Sequence, residues 1–146
     1  MQRRELVLGL GLAGAALGTA AVAATDEHAG HDHAQHASGS ALVDSALRCV
    51  RTAEVCMAHC LQVMGGGDRS MEGCGHAVNA LRSVCGTLAA LAIQKSPLLG
   101  QYAAVAKQFC DACEKECRQH ADEHEACKDC ADACVDCSRE CAKLAG

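Results

Sequence analysis

Five cysteines near the end of the chain, Cys127, Cys130, Cys134, Cys137 and Cys141, step by 3, 4, 3 and 4 residues. Those steps hold side chains on one face of an α-helix. Asp129, Asp132, Asp136, Arg139 and Lys143 repeat the same steps two positions further on. Two positions are about 200° of rotation at 3.6 residues per turn, so the charges lie opposite the thiols. A helix with sulfur on one face and charge on the other is organised around something that binds sulfur.

The other eight cysteines obey the same rule. Cys49, Cys56 and Cys60 fall on a seam with Leu42, Ala46, Ala53 and Val63. Cys74 and Cys85 fall on a second, with Met71, Val78, Leu81, Leu88 and Ala92. Cys110, Cys113 and Cys117 fall on a third, with Leu99, Ala103, Ala106 and His120. The four seams hold 3, 2, 3 and 5 cysteines, which accounts for all 13.

Helices must carry these seams. The first is expected from Ala41 to Met64, capped by Ser40 and ended by Gly65-Gly66-Gly67. The second starts after Ser70 and runs to about Lys95. Ser96-Pro97 opens the third, with proline at the first helical position. Asp122 and Glu125 give a capping-box-like start to the fourth, which ends near Leu144. Four amphipathic segments with short connections predict an all-α, antiparallel up-down-up-down four-helix bundle over residues 40–146, with a cysteine-lined core.

That topology gathers Cys60, Met64, Met71, Cys74, Cys117, His120 and Cys127 at one end, a mouth of soft ligands. Leu42, Val43, Leu91, Ile93, Leu98 and Leu99 gather at the other end as an apolar plug. The inner seams are filled by Cys, Ala and Leu, so no nucleophile–base pair or paired carboxylates emerge, and no enzyme is expected.

Arg3-Arg4, the apolar run from Leu6 to about Ala20 and Ala21-Val22-Ala23 read as a signal peptide over residues 1–24. The paired arginines favour twin-arginine export and an extracytoplasmic location, with no membrane association after cleavage. Residues 25–39, with His28, His31, His33 and His36, read as a flexible histidine-rich leader, either a solvated linker or a loose metal trap. Removing Arg3, Arg4 and Glu5 takes the net charge from −5 to −6, and no basic stripe for nucleic acid exists. Leu, Val, Ile and Phe make up under a fifth of the chain after residue 24, so alanine and protonated cysteine must supply the core.

Disulfides are disfavoured by the odd cysteine count and by helical rather than loop placement. Iron–sulfur clusters use tight C-x₂-C runs, often ending in Cys-Pro, and no cysteine here precedes proline. Zinc is the serious rival. Thirteen thiolates make three Cys₄ sites with one left over, but each such site buries two negative charges. Cu(I) fits better: it is soft, accepts two ligands and lets each sulfur bridge. The i,i+4 pairs Cys56/Cys60, Cys113/Cys117, Cys130/Cys134 and Cys137/Cys141 suit it. One Cu⁺ per thiolate also leaves the core neutral.

The cysteine-lined seams and C-x₃-C pairs, together with the N-terminal segment, resemble the bacterial copper storage proteins, in particular their exported branch. That resemblance implies a homotetramer of bundles, each holding many Cu(I) ions on core cysteines for supply to copper enzymes. It also implies a copper-admitting mouth, which by position is His59, Met64 and Met71. A zinc or mixed-metal thiolate sink, or a copper-delivery chaperone, are the alternatives. A chaperone needs only an exposed cysteine pair.

Overall fold

The structure, a computed structural model, describes the backbone over residues 33–144 and the side chains over 41–144. The signal-peptide segment, His28 and His31 lie outside the described residues. Four helices follow in order: α1 (His33–Gly65), α2 (Glu72–Ile93), α3 (Leu99–Arg118) and α4 (Glu125–Ala142). No strand occurs among the described residues. α1 packs on α2 and α4, and α3 packs on α2 and α4. Among the described residues only neighbouring helices bring their backbones close, and diagonal helices meet through side chains at the centre, the square section of an antiparallel bundle.

The seams face inward as the periodicity requires. Leu42, Ala46, Cys49, Ala53, Cys56 and Cys60 of α1 are all buried. So are Met71, Cys74, Val78, Leu81, Cys85 and Leu88 along α2, while Ala89 replaces the expected Ala92 in the core. On α3 the buried residues are Ala103, Ala106, Cys110, Cys113 and Cys117. On α4 they are the five cysteines with Ala131 and Ala133. α2 is long and apolar enough to cross a membrane by length and composition. Its apolar stripe is spent on the bundle interior.

Exposed ion pairs link neighbouring helices: Arg82–Glu54 at 3.1 Å joins α2 to α1, and Arg118–Asp132 at 2.8 Å joins α3 to α4. Arg48–Asp136 joins α1 to α4. Exposed pairs add little stability. Burial of the seams holds the bundle.

The helix ends differ from expectation in three places. α1 begins at His33, so Ser40 lies inside the helix and not at its start. Ala34, Gln35 and Ala37 favour helix, and the single Gly39 costs only about 1 kcal/mol. α3 begins at Leu99, leaving Pro97 in the preceding turn, where the Ser96 hydroxyl accepts the Leu98 N–H at 3.3 Å. The Asp122/Glu125 box does not form: His124 occupies the N-cap in extended conformation and no side chain caps α4. Asp122 instead falls in a turn closed by His124 N–H on the His120 carbonyl at 2.9 Å.

The two connections at opposite ends use left-handed residues. Gly67 has φ +95, which glycine adopts freely. Lys95 has φ 51, and Ser96 N–H reaches back to the Leu91 carbonyl at 3.0 Å, a Schellman-type stop. This turn corrects the apolar plug. Ile93 and Leu98 flank it and point outward, 63% and 57% exposed. Leu42 and Leu88 are buried toward that end, Leu99 and Tyr102 pack against the core, and the Tyr102 hydroxyl donates to the Val84 carbonyl at 3.3 Å.

Candidate metal centre

All thirteen cysteines are fully buried and none is paired in a disulfide. Their sulfurs converge because each seam places a thiol at matching heights on neighbouring helices. Toward the end with the α1–α2 and α3–α4 connections, Cys74 Sγ lies 3.5 Å from Cys117 and 3.8 Å from Cys56. Cys56 lies 3.8 Å from Cys127, and Cys113 lies 3.8 Å from Cys117 and 4.0 Å from Cys130. Three threes result, each with its sulfurs within 4.8 Å of one another: Cys56, Cys74 and Cys127; Cys56, Cys117 and Cys130; Cys113, Cys130 and Cys134. Further in, Cys49, Cys85, Cys110 and Cys137 form a four under the same limit. Cys60 and Cys141 belong to none of these groups and extend the array at either end.

Val78 and Leu81 are fully buried between Cys74 and Cys85 on α2. The sulfur column is therefore interrupted on that helix and continuous on α4. Cys49 donates its S–H to the Ala133 carbonyl at 3.1 Å, a contact across the α1–α4 interface.

Thiol–thiol contacts shift the cysteines in opposite directions. Cys74 is pulled below the ordinary thiol range by bonds from Cys117 and Cys127. Cys130 is pulled down by Cys113, Cys117, Cys134 and Cys56, and Cys137 by Cys110, Cys141, Cys49 and Cys85. Cys117 and Cys134 are raised in turn, first by Cys113, and Cys110 and Cys141 by Cys137. Burial, with the nearby Cys74, pushes Cys60 up to about 11. For Cys127 the bond with Cys56 pulls down, but the bond with Cys74 and burial prevail and raise it to about 12. With most of its thiols raised, the core is a largely protonated thiol network that can be buried without metal.

The residues assigned to the mouth separate. His59 lies beside the column, and its Nε2 is the one buried side-chain nitrogen or oxygen without a hydrogen-bond partner among the described residues. Its ring is 4.6 Å from that of His124, which is 6.4 Å from that of His120. Three imidazoles therefore cluster at the soft-ligand end. His124 is the residue that sequence reasoning missed. The i,i+4 spacing of His120 and His124 was the available signal, obscured because it crosses a predicted helix boundary. Met71 is fully buried at the α2 N-cap and packs in the core. Met64 turns away: with Met57, Leu61 and His76 it lines a groove of about 440 Å³ between α1 and α2. Its Cε lies 3.5 Å from where a Cβ on Gly75 would stand.

A helical box of buried, unpaired thiols with a histidine cluster at one end has counterparts among known proteins. Residues 35–146 match the family described as copper storage protein. The chain belongs to that family. A cysteine-rich protein of Bacillus subtilis, itself uncharacterised, is 28% identical over 106 residues, covering 72% of this chain and 94% of its own. The cytosolic copper storage protein of Streptomyces lividans with five coppers superposes with a TM-score of 0.70 at 25% identity, covering 77% of this chain and 96% of its own. The same organism's copper storage protein loaded with 10 copper equivalents gives a TM-score of 0.68 at 26% identity, covering 75% and 84%.

These relatives correct the expected extracytoplasmic location. The copper storage protein whose compartment is stated is cytosolic. The segment read as a signal peptide lies outside both the matched span and the described residues. A basic pair before an apolar run is a pattern of composition that the thiol core does not require. Free thiols a few ångström apart persist most readily where the compartment keeps them reduced.

Proposed function

We propose that this chain stores Cu(I) on its core thiolates at about one ion per cysteine and admits it at the histidine end. The observation that carries the reading is the set of sulfur groups within 4.8 Å, built from fully buried thiols on all four helices. Groups of three that share members suit Cu(I), which accepts low coordination and bridging sulfur. Cys56 serves two of the threes, and so does Cys130. Each thiol that binds Cu⁺ releases one proton, so the loaded core stays neutral.

His59, His120 and His124 would receive the ion first, with Cys60 next to His59 leading it inward. Met71 would contribute from the core side, and Met64 from its groove. Family resemblance supports a homotetramer, and exposed Leu47, Val55 and Leu61 on α1 offer apolar surface for it. It also supports later supply of copper to copper-requiring enzymes. The single domain acts as a reservoir with no catalytic step.

Anaerobic titration of the reduced protein with Cu(I), followed by near-UV thiolate-to-copper absorption and elemental analysis, tests this. Saturation is expected near thirteen equivalents, within roughly 10 to 14 given bridging. Saturation at three or four, with Zn²⁺ competing equally, would replace the reading with a zinc sink. Saturation at one or two would favour a chaperone.

A further inference from the structure

The four-sulfur layer differs from the threes in a way that copper storage does not explain. Cys49, Cys85, Cys110 and Cys137 come one from each helix, and their sulfurs all lie within 4.8 Å of one another. The threes share Cys56 and Cys130, whereas the four shares no member with any of them. Fully buried Val78 and Leu81 stand between Cys85 and the other thiol of α2. Four donors from four helices, every pair within 4.8 Å, can close on a tetrahedral position. With metal–sulfur bonds of about 2.3 Å, the edges of such a tetrahedron are about 3.8 Å. Small rotations of buried side chains close that gap.

We infer that this layer is a discrete tetrahedral site for one divalent ion of the zinc class, filled while the surrounding copper core is empty. The inference adds a second cargo to the Cu(I) reading and does not depend on its stoichiometry. Binding is M²⁺ + 4 RSH → M(SR)₄²⁻ + 4 H⁺. The Cys49 proton now donated to Ala133 is among those released.

The two negative charges so buried are the cost that argues against three such sites. For one site, neighbours offset it. Cys134 and Cys141 lie one turn to either side of Cys137 on α4. Both lie outside the four and are fully buried, where a thiol without metal keeps its proton. A protonated thiol beside a thiolate donates S–H to sulfur and spreads the charge. Those donors vanish when Cys134 and Cys141 take Cu(I), and Cu(I) also competes for the four directly. Copper loading therefore expels the divalent ion, and the two cargoes are antagonistic.

Co(II) serves as the optical probe, added anaerobically to the reduced full-length protein. The expected result is one equivalent bound, with the visible ligand-field bands of tetrahedral cobalt thiolate, displaced one-for-one by Zn(II). Cys85→Ser and Cys110→Ser, on different helices, should each abolish the bands, while Cys117→Ser keeps them. Far-UV circular dichroism confirms that each variant is helical. Cu(I) added to the cobalt form should bleach the bands before the copper core is full. The inference is overturned by absent bands, by more than one equivalent, by equal loss in Cys117→Ser, or by bands that survive full copper loading. Copper saturation of cobalt-free protein is measured separately. A wild type that takes about thirteen Cu(I) but no Co(II) sinks this site alone, on the same one-per-thiolate count.

Discussion

Replacing His59 by phenylalanine separates the cost of the histidine cluster from its use. His59 Nε2 is buried without a partner, and leaving a buried polar atom unsatisfied costs about 1–3 kcal/mol. Phenylalanine keeps a planar ring against His124, whose centroid is 4.6 Å away, and removes the orphaned nitrogen. The reduced apo protein should therefore gain about 1–3 kcal/mol in urea unfolding. For a domain of about a hundred residues that is a rise in Tm of roughly 4–8 °C per kcal/mol. Cu(I) transfer from a chelator, followed by stopped flow, should slow, while final capacity stays near that of the parent. On the proposed route, the nitrogen that destabilises the copper-free protein would gain its partner when copper passes. An apo variant that is less stable than the parent would refute the argument. So would one that loads at the parent rate, because the cluster would then have no part in admission.

Further outcomes follow from the same geometry. Cys130→Ser combined with Cys134→Ser, both deep and buried, should cut capacity by about two ions with little change in early rate, on the one-per-thiolate count; an unchanged capacity in elemental analysis would exclude these ligands. Cys60 and Cys127 hold their protons more tightly in the folded state, at about 11 and about 12 against an ordinary 9.0. Their contribution is complete below pH 9 and is lost as pH rises through those values, so circular dichroism should show the apo bundle weakening above pH 9. Met71→Ala should cost the apo protein about 2–5 kcal/mol, as a truncation in a sealed core does, and Met64→Ala clearly less, compared by chemical denaturation.

The bundle and its sulfur lining were legible because cysteine here does two jobs with one pattern. A thiol placed every 3 or 4 residues is both the apolar stripe that folds the helix and the ligand array that the fold encloses. Cys127 through Cys141 declared this without ambiguity, and the structure buries all five. The helix ends were less legible because capping is decided by a few hydrogen bonds. Asp122 and Glu125 carry the right side chains for a box, yet the chain turns at His120 and leaves His124 at the N-cap. That same turn brings His124 toward His59, so the missed cap and the missed imidazole contact are one event.

Grouping of the thiols lay beyond sequence, because periodicity fixes the face of a helix but not its height against its neighbours. Height is set by the two turns with left-handed residues, at Gly67 and Lys95, and by how closely the helices approach. Gly75 is the clearest case. It is buried on α2 with Met64 Cε 3.5 Å and Cys60 Cβ 3.8 Å from where its own Cβ would stand. A methyl there would fit only at ordinary contact, with no room to spare. Alanine would therefore be tolerated there, and the α1–α2 approach that brings Cys74 within 3.8 Å of Cys56 favours a small residue with no chemistry of its own. α2 supplies only Cys74 and Cys85, and it spends Val78, Leu81 and Leu88 on packing. One helix rich in apolar bulk holds the register, and this lets α4 present five sulfurs without filling its own core.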